Sequence, residues 1–219
     1  INIPDTVGYA SPNEFGELIR DIRHEVICNR NVMLSVHCHN DLGLAVSNTL
    51  AAIMNGADWF DCTVNGIGER AGNASLEEVV MALATRKDAF DAITSLNTTL
   101  LYKTSHLVSS VTGVYIPPNK AIVGKNAFAH QSGIHQHGIL ANPATYEIMT
   151  PQSVGFREST ILLGKLSGHH AFEEKLEELG IRVDDEIEKS AFKSFKNLSC
   201  RKKDVSDDDI RALVEEAVI

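Results

Sequence analysis

The chain has 219 residues, 43% hydrophobic and 22% charged, the composition of a soluble globular chain that buries a real core. Twenty Lys and Arg stand against 29 Asp and Glu, a net charge of −9, which argues against a nucleic acid or an anionic membrane surface as the main partner. No apolar run reaches the roughly 18–20 residues of a membrane span, and the basic and apolar regions of a signal peptide are both missing, so a cytoplasmic protein is expected.

Residues 1–86 repeat one pattern three times: a short β-like run, a polar turn, then a helix. The first helix is announced by Ser11-Pro12-Asn13-Glu14, an N-cap Ser, a Pro at the first helical position and a Glu to close a capping box. Its stripe reads Phe15, Leu18, Ile19, Ile22 and Val26. In the second unit, period-two reading of residues 32–39 puts Val32, Leu34, Val36 and Cys38 on an apolar face and Met33, Ser35, His37 and His39 on the other. A helix from about Leu44 to Asn55 follows. The third unit runs from Trp59 to Val64, turns through Asn65 to Asn73, and enters a helix capped by Ser75 and Glu78 with Leu76, Val79, Val80 and Leu83 inward. Such alternation predicts βαβ units and a parallel sheet, an open doubly wound sheet or a barrel. Residues 98–142 lose the alternation and contain Pro117-Pro118-Asn119 and a His- and Gly-rich stretch, Asn126 to Gly138. Beyond Ser167 the pattern is helical, with stripes at Phe172, Leu176 and Leu179, at Ile187, Ala191, Phe195 and Leu198, and at Ile210, Leu213 and Val214. The expected division is 1–97 as barrel or sheet and 98–219 as a linker and mostly helical subdomain. Cys28, Cys38, Cys62 and Cys200 show no CxxC spacing and read as reduced thiols. The first residue is Ile1 and the last apolar run stops at Ile219, so a piece of a longer polypeptide is expected.

Each β-like run carries its unusual polar residues at its C-terminal end: Pro4-Asp5-Thr6, then His37-Cys38-His39-Asn40-Asp41, then Asn65 to Asn73. In a parallel α/β fold those ends share one rim, where catalytic residues gather. His37 and His39, two apart on a strand, project to one side and can close on one divalent ion; a further ligand must come from elsewhere, with Asp5, Asp41, Asp61 and Asn73 the local candidates. The bland reading is a polar patch in a loop. The run Asn65-Gly66-Ile67-Gly68-Glu69-Arg70-Ala71-Gly72-Asn73 could offer backbone N–H groups to an anionic or carbonyl ligand, or be a tight turn with Glu69 and Arg70 as a structural ion pair; it fits neither the Walker nor the dinucleotide spacing. His130, His135 and His137 cluster further on, with His130 and His137 on one face if 128–140 is helical. His169 and His170 read as helix-entry residues without an assigned role.

Together, Ile3-Pro4-Asp5-Thr6-Val7-Gly8, His37-Cys38-His39-Asn40-Asp41-Leu42-Gly43, Asn65 to Asn73 and Ser132-Gly133-Ile134-His135 closely resemble the isopropylmalate synthase and homocitrate synthase family of metal-dependent acyl-CoA condensing enzymes. The resemblance spans essentially the whole chain. It implies a TIM (β/α)8 barrel, here only its last strand–helix units, followed by the small helical subdomain. It implies an acyltransferase that condenses acetyl-CoA with 2-oxoisovalerate to 2-isopropylmalate in leucine biosynthesis. The ion it implies is Mn²⁺ or Mg²⁺, with Zn²⁺ a further option, held by His37, His39 and Asn73. Thr6 would hydrogen-bond the 2-oxo acid, and Glu69 and Arg70 would border the acyl-CoA side. His135 would act in proton transfer in the partner subunit's site, hence a homodimer. The family's Asp ligand on the first barrel strand has no counterpart motif here, His137 stands where many relatives have Asp, and three of eight strand–helix units cannot close a barrel. The chain alone is therefore expected to be inactive. Rival readings are a homocitrate or citramalate synthase, a TIM-barrel metal-dependent hydrolase, and a scaffold piece with vestigial motifs.

Overall fold

The computed structural model describes residues 1–28, 30–130, 148–156, 160–161, 163–165, 167–202 and 205–218. The chain forms two compact units, Ile1–Ala127 with Gln152–Phe156, and Phe128–Pro151 with Arg157–Ile219.

In the first unit, β1 (Asn2–Asp5), β2 (Ser35–Cys38) and β3 (Trp59–Asp61) form a parallel sheet in the order β1-β2-β3. The register sets Asn2 beside Ser35 beside Trp59, and Pro4 beside His37 beside Asp61. Helices α1 (Pro12–Asp21), α2 (Ala45–Met54) and α3 (Leu76–Thr85) follow the strands in turn, and α4 (Leu101–Thr112) comes after them. Alternation of side chains along β2 sends Leu34, Val36 and Cys38 into a fully buried core with Phe15, Ile19, Ala45, Ala52 and Val79. The other face is open, with Met33 52% and Trp59 59% exposed. A parallel sheet is ordinarily covered on both faces. Asn2 Nδ2 nevertheless reaches across β2 to donate to Asp61 Oδ2 at 2.5 Å. Strands two places apart lie about 9.5 Å from each other in a flat sheet, so this contact marks the open face as concave, as the inner wall of a barrel is.

The expected capping of α1 is present: Glu14 Oε2 accepts from Ser11 N at 2.9 Å and from Ser11 Oγ at 2.6 Å. Its stripe departs from the expectation at one end. Past Ile22 the helix widens into a π-helix, Ile22–Ile27, and the extra residue per turn rotates the inward position from Val26, which is 54% exposed, to Ile27, which is 1% exposed. The Ser75–Glu78 capping box of α3 does not form. Ser75 Oγ instead donates to Glu77 Oε1 at 2.6 Å and accepts from Lys120 Nζ at 2.9 Å, and Glu78 also pairs with Lys120.

In the second unit, Ala129–His130 (β4) pairs in parallel with Thr160–Ile161 (β5), so residues 129–130 are strand, not the start of a helix. Helices α5 (His169–Glu178), α6 (Asp185–Ser199) and α7 (Asp207–Val218) bury Phe172, Leu176, Ala191, Phe195, Ile210 and Val214, the apolar stripes of the sequence. Phe172 stacks on Phe195 with ring centroids 5.3 Å apart. Asp184 caps α6 by accepting from Glu186 N and Ile187 N. All four cysteines are free thiols, and no described helix is long and apolar enough to cross a membrane.

Candidate metal and substrate site at the strand ends

The last residues of β1 and β2 and the loop after β3 come together on one rim. His37 lies on the concave face of β2 and His39 one residue past its end, two apart and therefore on the same side. Their Nε2 atoms lie 3.2 Å apart, with the rings edge to face at 78°. A divalent ion bound at about 2.0–2.1 Å holds two neighbouring imidazole nitrogens about 2.9 Å apart at a right angle and about 3.3 Å apart at the tetrahedral angle. The observed separation falls in that interval. Asn73 forms an isolated antiparallel bridge with His39, through Ala74 N to Cys38 O at 3.0 Å and Asn40 N to Gly72 O at 2.9 Å. That pattern is the close, non-hydrogen-bonded pairing, which puts the two side chains on one face as neighbours. Asn73 Oδ1 and His39 Nδ1 are buried and have no hydrogen-bond partner. A buried amide oxygen left open beside two converging imidazoles is what a bound cation would satisfy, so the donor set fits a divalent ion.

The four candidates for a further ligand separate clearly. Asp5 is in register with Cys38, on the helix-facing side, where its carboxylate accepts from Asn48 Nδ2 and Tyr9 N, both at 3.1 Å. Asp41 is bound to Arg70, with Nε to Oδ1 at 2.8 Å and Nη2 to Oδ2 at 3.0 Å. The guanidinium holds the Asp41 carboxyl below the usual carboxylate range. Asp61 is in register with His37 on the concave face. Asn73 bridges His39.

Arg70 Nη2 also donates to Thr6 O at 2.8 Å. One guanidinium thus ties together the ends of β1 and β2 and the loop after β3. It lies farther from Glu69, at 3.5 Å, so the neighbouring-residue ion pair is the weaker of its contacts. Thr6 and Glu69 are exposed on the same rim. The glycines of the loop are needed for its shape: Gly72 has φ +89°, and a Cβ there would stand 1.9 Å from Gly66 O. His135 and His137 lie outside the described residues, as do all side-chain details of His130.

The loop is anchored from behind by Glu77, which the sequence reading passed over. Glu77 is 1% exposed; its carboxylate accepts from Asn65 N at 3.0 Å and Ser75 Oγ at 2.6 Å, and Lys120 Nζ lies 3.2 Å away. Asn65, at φ +63°, is held from α4 as well, donating to Ser105 O at 2.9 Å. The signal was present in the sequence: Val80 and Met81, three and four residues on, put Glu77 on the buried side of α3. Burial also pushes the thiols of Cys38 and Cys62 up to about 11, so both stay protonated near neutral pH.

Residues 1–108 match the HMGL-like family, and residues 122–203 match the homocitrate synthase post-HMGL domain-like family. A 2-isopropylmalate synthase of Ruminiclostridium cellulolyticum is 59% identical over 100% of this chain and 43% of its own length. The 2-isopropylmalate synthase of Aquifex aeolicus is 59% identical over 98% of this chain and 41% of its own. The chain belongs to the isopropylmalate synthase and homocitrate synthase family. It spans less than half the length of these two relatives, and 55% of a third, 2-isopropylmalate synthase 1 of Caldanaerobacter subterraneus, at 57% identity. The fold follows: three strand–helix units of an HMGL-like TIM barrel, with a mostly helical subdomain after them.

Proposed function

We propose that this chain is the closing part of the catalytic barrel, with the subdomain that follows it, of a synthase joining acetyl-CoA to 2-oxoisovalerate. The acetyl methyl group gives up a proton, its carbon bonds to the ketone carbon of the 2-oxo acid, and water cleaves the thioester to release CoA and 2-isopropylmalate. The observation that carries this reading is the convergence of the His37 and His39 Nε2 atoms, 3.2 Å apart, beside the open Asn73 Oδ1 on the strand-end rim. His37, His39 and Asn73 would hold a divalent ion, Mn²⁺ or Mg²⁺ with Zn²⁺ as the alternative, and such an ion polarises a ketone as a Lewis acid.

The chain's own residues then take defined parts. Thr6, exposed at the end of β1, hydrogen-bonds the 2-oxo acid. Arg70 fixes that position by holding Thr6 O and Asp41, and with Glu69 it borders the acyl-CoA side. His135 takes part in proton transfer in the partner subunit's site of a homodimer working in the cytoplasm. The carboxylate ligand and the early-strand pocket belong to parts of the barrel outside these three units, so the isolated chain is inactive.

The test is CoA thiol release by the full-length polypeptide with Mn²⁺, acetyl-CoA and one of three acids: 2-oxoisovalerate, 2-oxoglutarate or pyruvate. Preference for 2-oxoisovalerate, lost in His37→Ala/His39→Ala, is the expected result. Preference for another acid would move the assignment to a homocitrate or citramalate synthase, and no release with any acid would refute it.

A further inference from the structure

A second cluster of metal-binding side chains lies in the second unit. His169 stands in the first turn of α5, Glu173 one turn on, and Glu188 in the first turn of α6. His169 Nδ1 is 3.1 Å from Glu173 Oε1, and His169 Nε2 is 3.3 Å from Glu188 Oε1. One donor atom from each of the three lies within 4.8 Å of the others. The arrangement is supported by packing. The His169 ring meets Phe192 edge to face at 4.8 Å and 77°, and Phe192 sits one helical turn after Glu188 on α6. Phe192 in turn packs on Phe172 and Phe195 of the core.

One further feature of the cluster points to a missing ligand. His169 Nε2 and Glu188 Oε1 are both buried, yet neither completes a hydrogen bond although they lie 3.3 Å apart. Two buried atoms that could satisfy one another and do not are what a third group between them would satisfy. The buried cation on α5, Lys175, is engaged elsewhere, by Glu178 and Asp207. A surface groove lined by Glu173, Glu177, Arg182 and Glu188 gives an ion a path in.

We propose that His169, Glu173 and Glu188 form a divalent transition-metal site that staples α5 to α6, with one imidazole and two carboxylate ligands. That donor set suits Zn²⁺ and its neighbours rather than the all-oxygen shells of Ca²⁺ and Mg²⁺. The site stands whether or not the proposed condensation is correct.

The experiment is Zn²⁺ titration by calorimetry of the full chain after chelator treatment, in a His37→Ala/His39→Ala background so that the rim does not contribute. One tight site is expected there. His169→Ala or Glu188→Gln should weaken it by more than about 100-fold, beyond the 10–100-fold that loss of an outer-shell partner costs. Zn²⁺ should also raise the unfolding temperature of the background protein and leave that of the Glu188→Gln variant unchanged. Should Glu188→Gln fold poorly by circular dichroism, Glu173→Gln serves in its place, because Glu173 is 43% exposed and its loss opens no core cavity. Absence of Zn²⁺ binding, or equal binding by background and variants, would overturn the site.

Discussion

Replacing Lys120 by Met tests whether the strand-end loop is anchored from behind. The substitution keeps an unbranched apolar side chain as far as Cε and removes the ammonium that lies 3.2 Å from Glu77 and also pairs with Glu78. Glu77 is 1% exposed and would keep only its bonds from Asn65 N and Ser75 Oγ. Stranding one partner of a buried ion pair costs about 3–5 kcal/mol. The two remaining bonds place this case at about 3 kcal/mol, which for a chain of this size is a fall of roughly 6–12 °C in the unfolding temperature. Removing both charges in Lys120→Met/Glu77→Gln should recover most of the loss, because the neutral amide can still accept from Asn65 N and leaves no buried charge unpaired. Thermal unfolding of the wild type, both single variants and the double variant closes the cycle. A loss below about 0.5 kcal/mol in Lys120→Met, the size of an ordinary surface change, would refute the anchoring of the loop by this pair.

Gly72→Ala should destabilise the first unit by more than about 2 kcal/mol in urea unfolding, since it adds a left-handed penalty to a Cβ placed 1.9 Å from Gly66 O; an unchanged midpoint would contradict the loop geometry. Asp209 is held at about 2, against a usual 3.8, by Lys202 Nζ and by Ser206 N and Oγ. Its folded pKa is depressed, so its contribution is complete above about pH 4 and is lost as pH falls through about 2; the acid-induced loss of helix over that window should shrink in Asp209→Asn, followed by circular dichroism. Under native conditions near neutral pH a thiol reagent should modify the exposed Cys28 and Cys200 and spare Cys38 and Cys62, whose thiols are raised to about 11; mass spectrometry of the labelled peptides reads the result, and rapid labelling of Cys38 would count against the core placed behind β2.

The parts legible in the sequence are those governed by local periodicity. Alternation along β2 separated the Leu34, Val36 and Cys38 face from the His37 and His39 face, and burial follows that division. The gathering of polar residues at three strand ends pointed to the rim because parallel strands all end on one side. What local pattern could not supply were contacts made at a distance. Ser75 gives up its expected capping partner because Lys120, 45 residues later, draws its hydroxyl away. The Arg70–Asp41 pair spans 29 residues, and only the structure ranks it above the adjacent Glu69. The inward turn of Ile27 in place of Val26 depends on the shifted backbone hydrogen bonds of the Ile22–Ile27 segment, Cys28 N to Arg23 O at 2.9 Å among them, which hydrophobic spacing does not encode. His169 looked like a helix-entry residue because Glu188 comes from a different helix, although its spacing to Glu173 was visible in the sequence.

The central claim is that His37, His39 and Asn73 converge on a divalent cation. Anomalous diffraction at the manganese edge, from crystals of the full-length polypeptide grown with Mn²⁺, tests it most directly. The account predicts one strong peak bonded by His37 Nε2, His39 Nε2 and Asn73 Oδ1. Density that leaves the two imidazole nitrogens facing each other at 3.2 Å, with the manganese bound elsewhere, would contradict it.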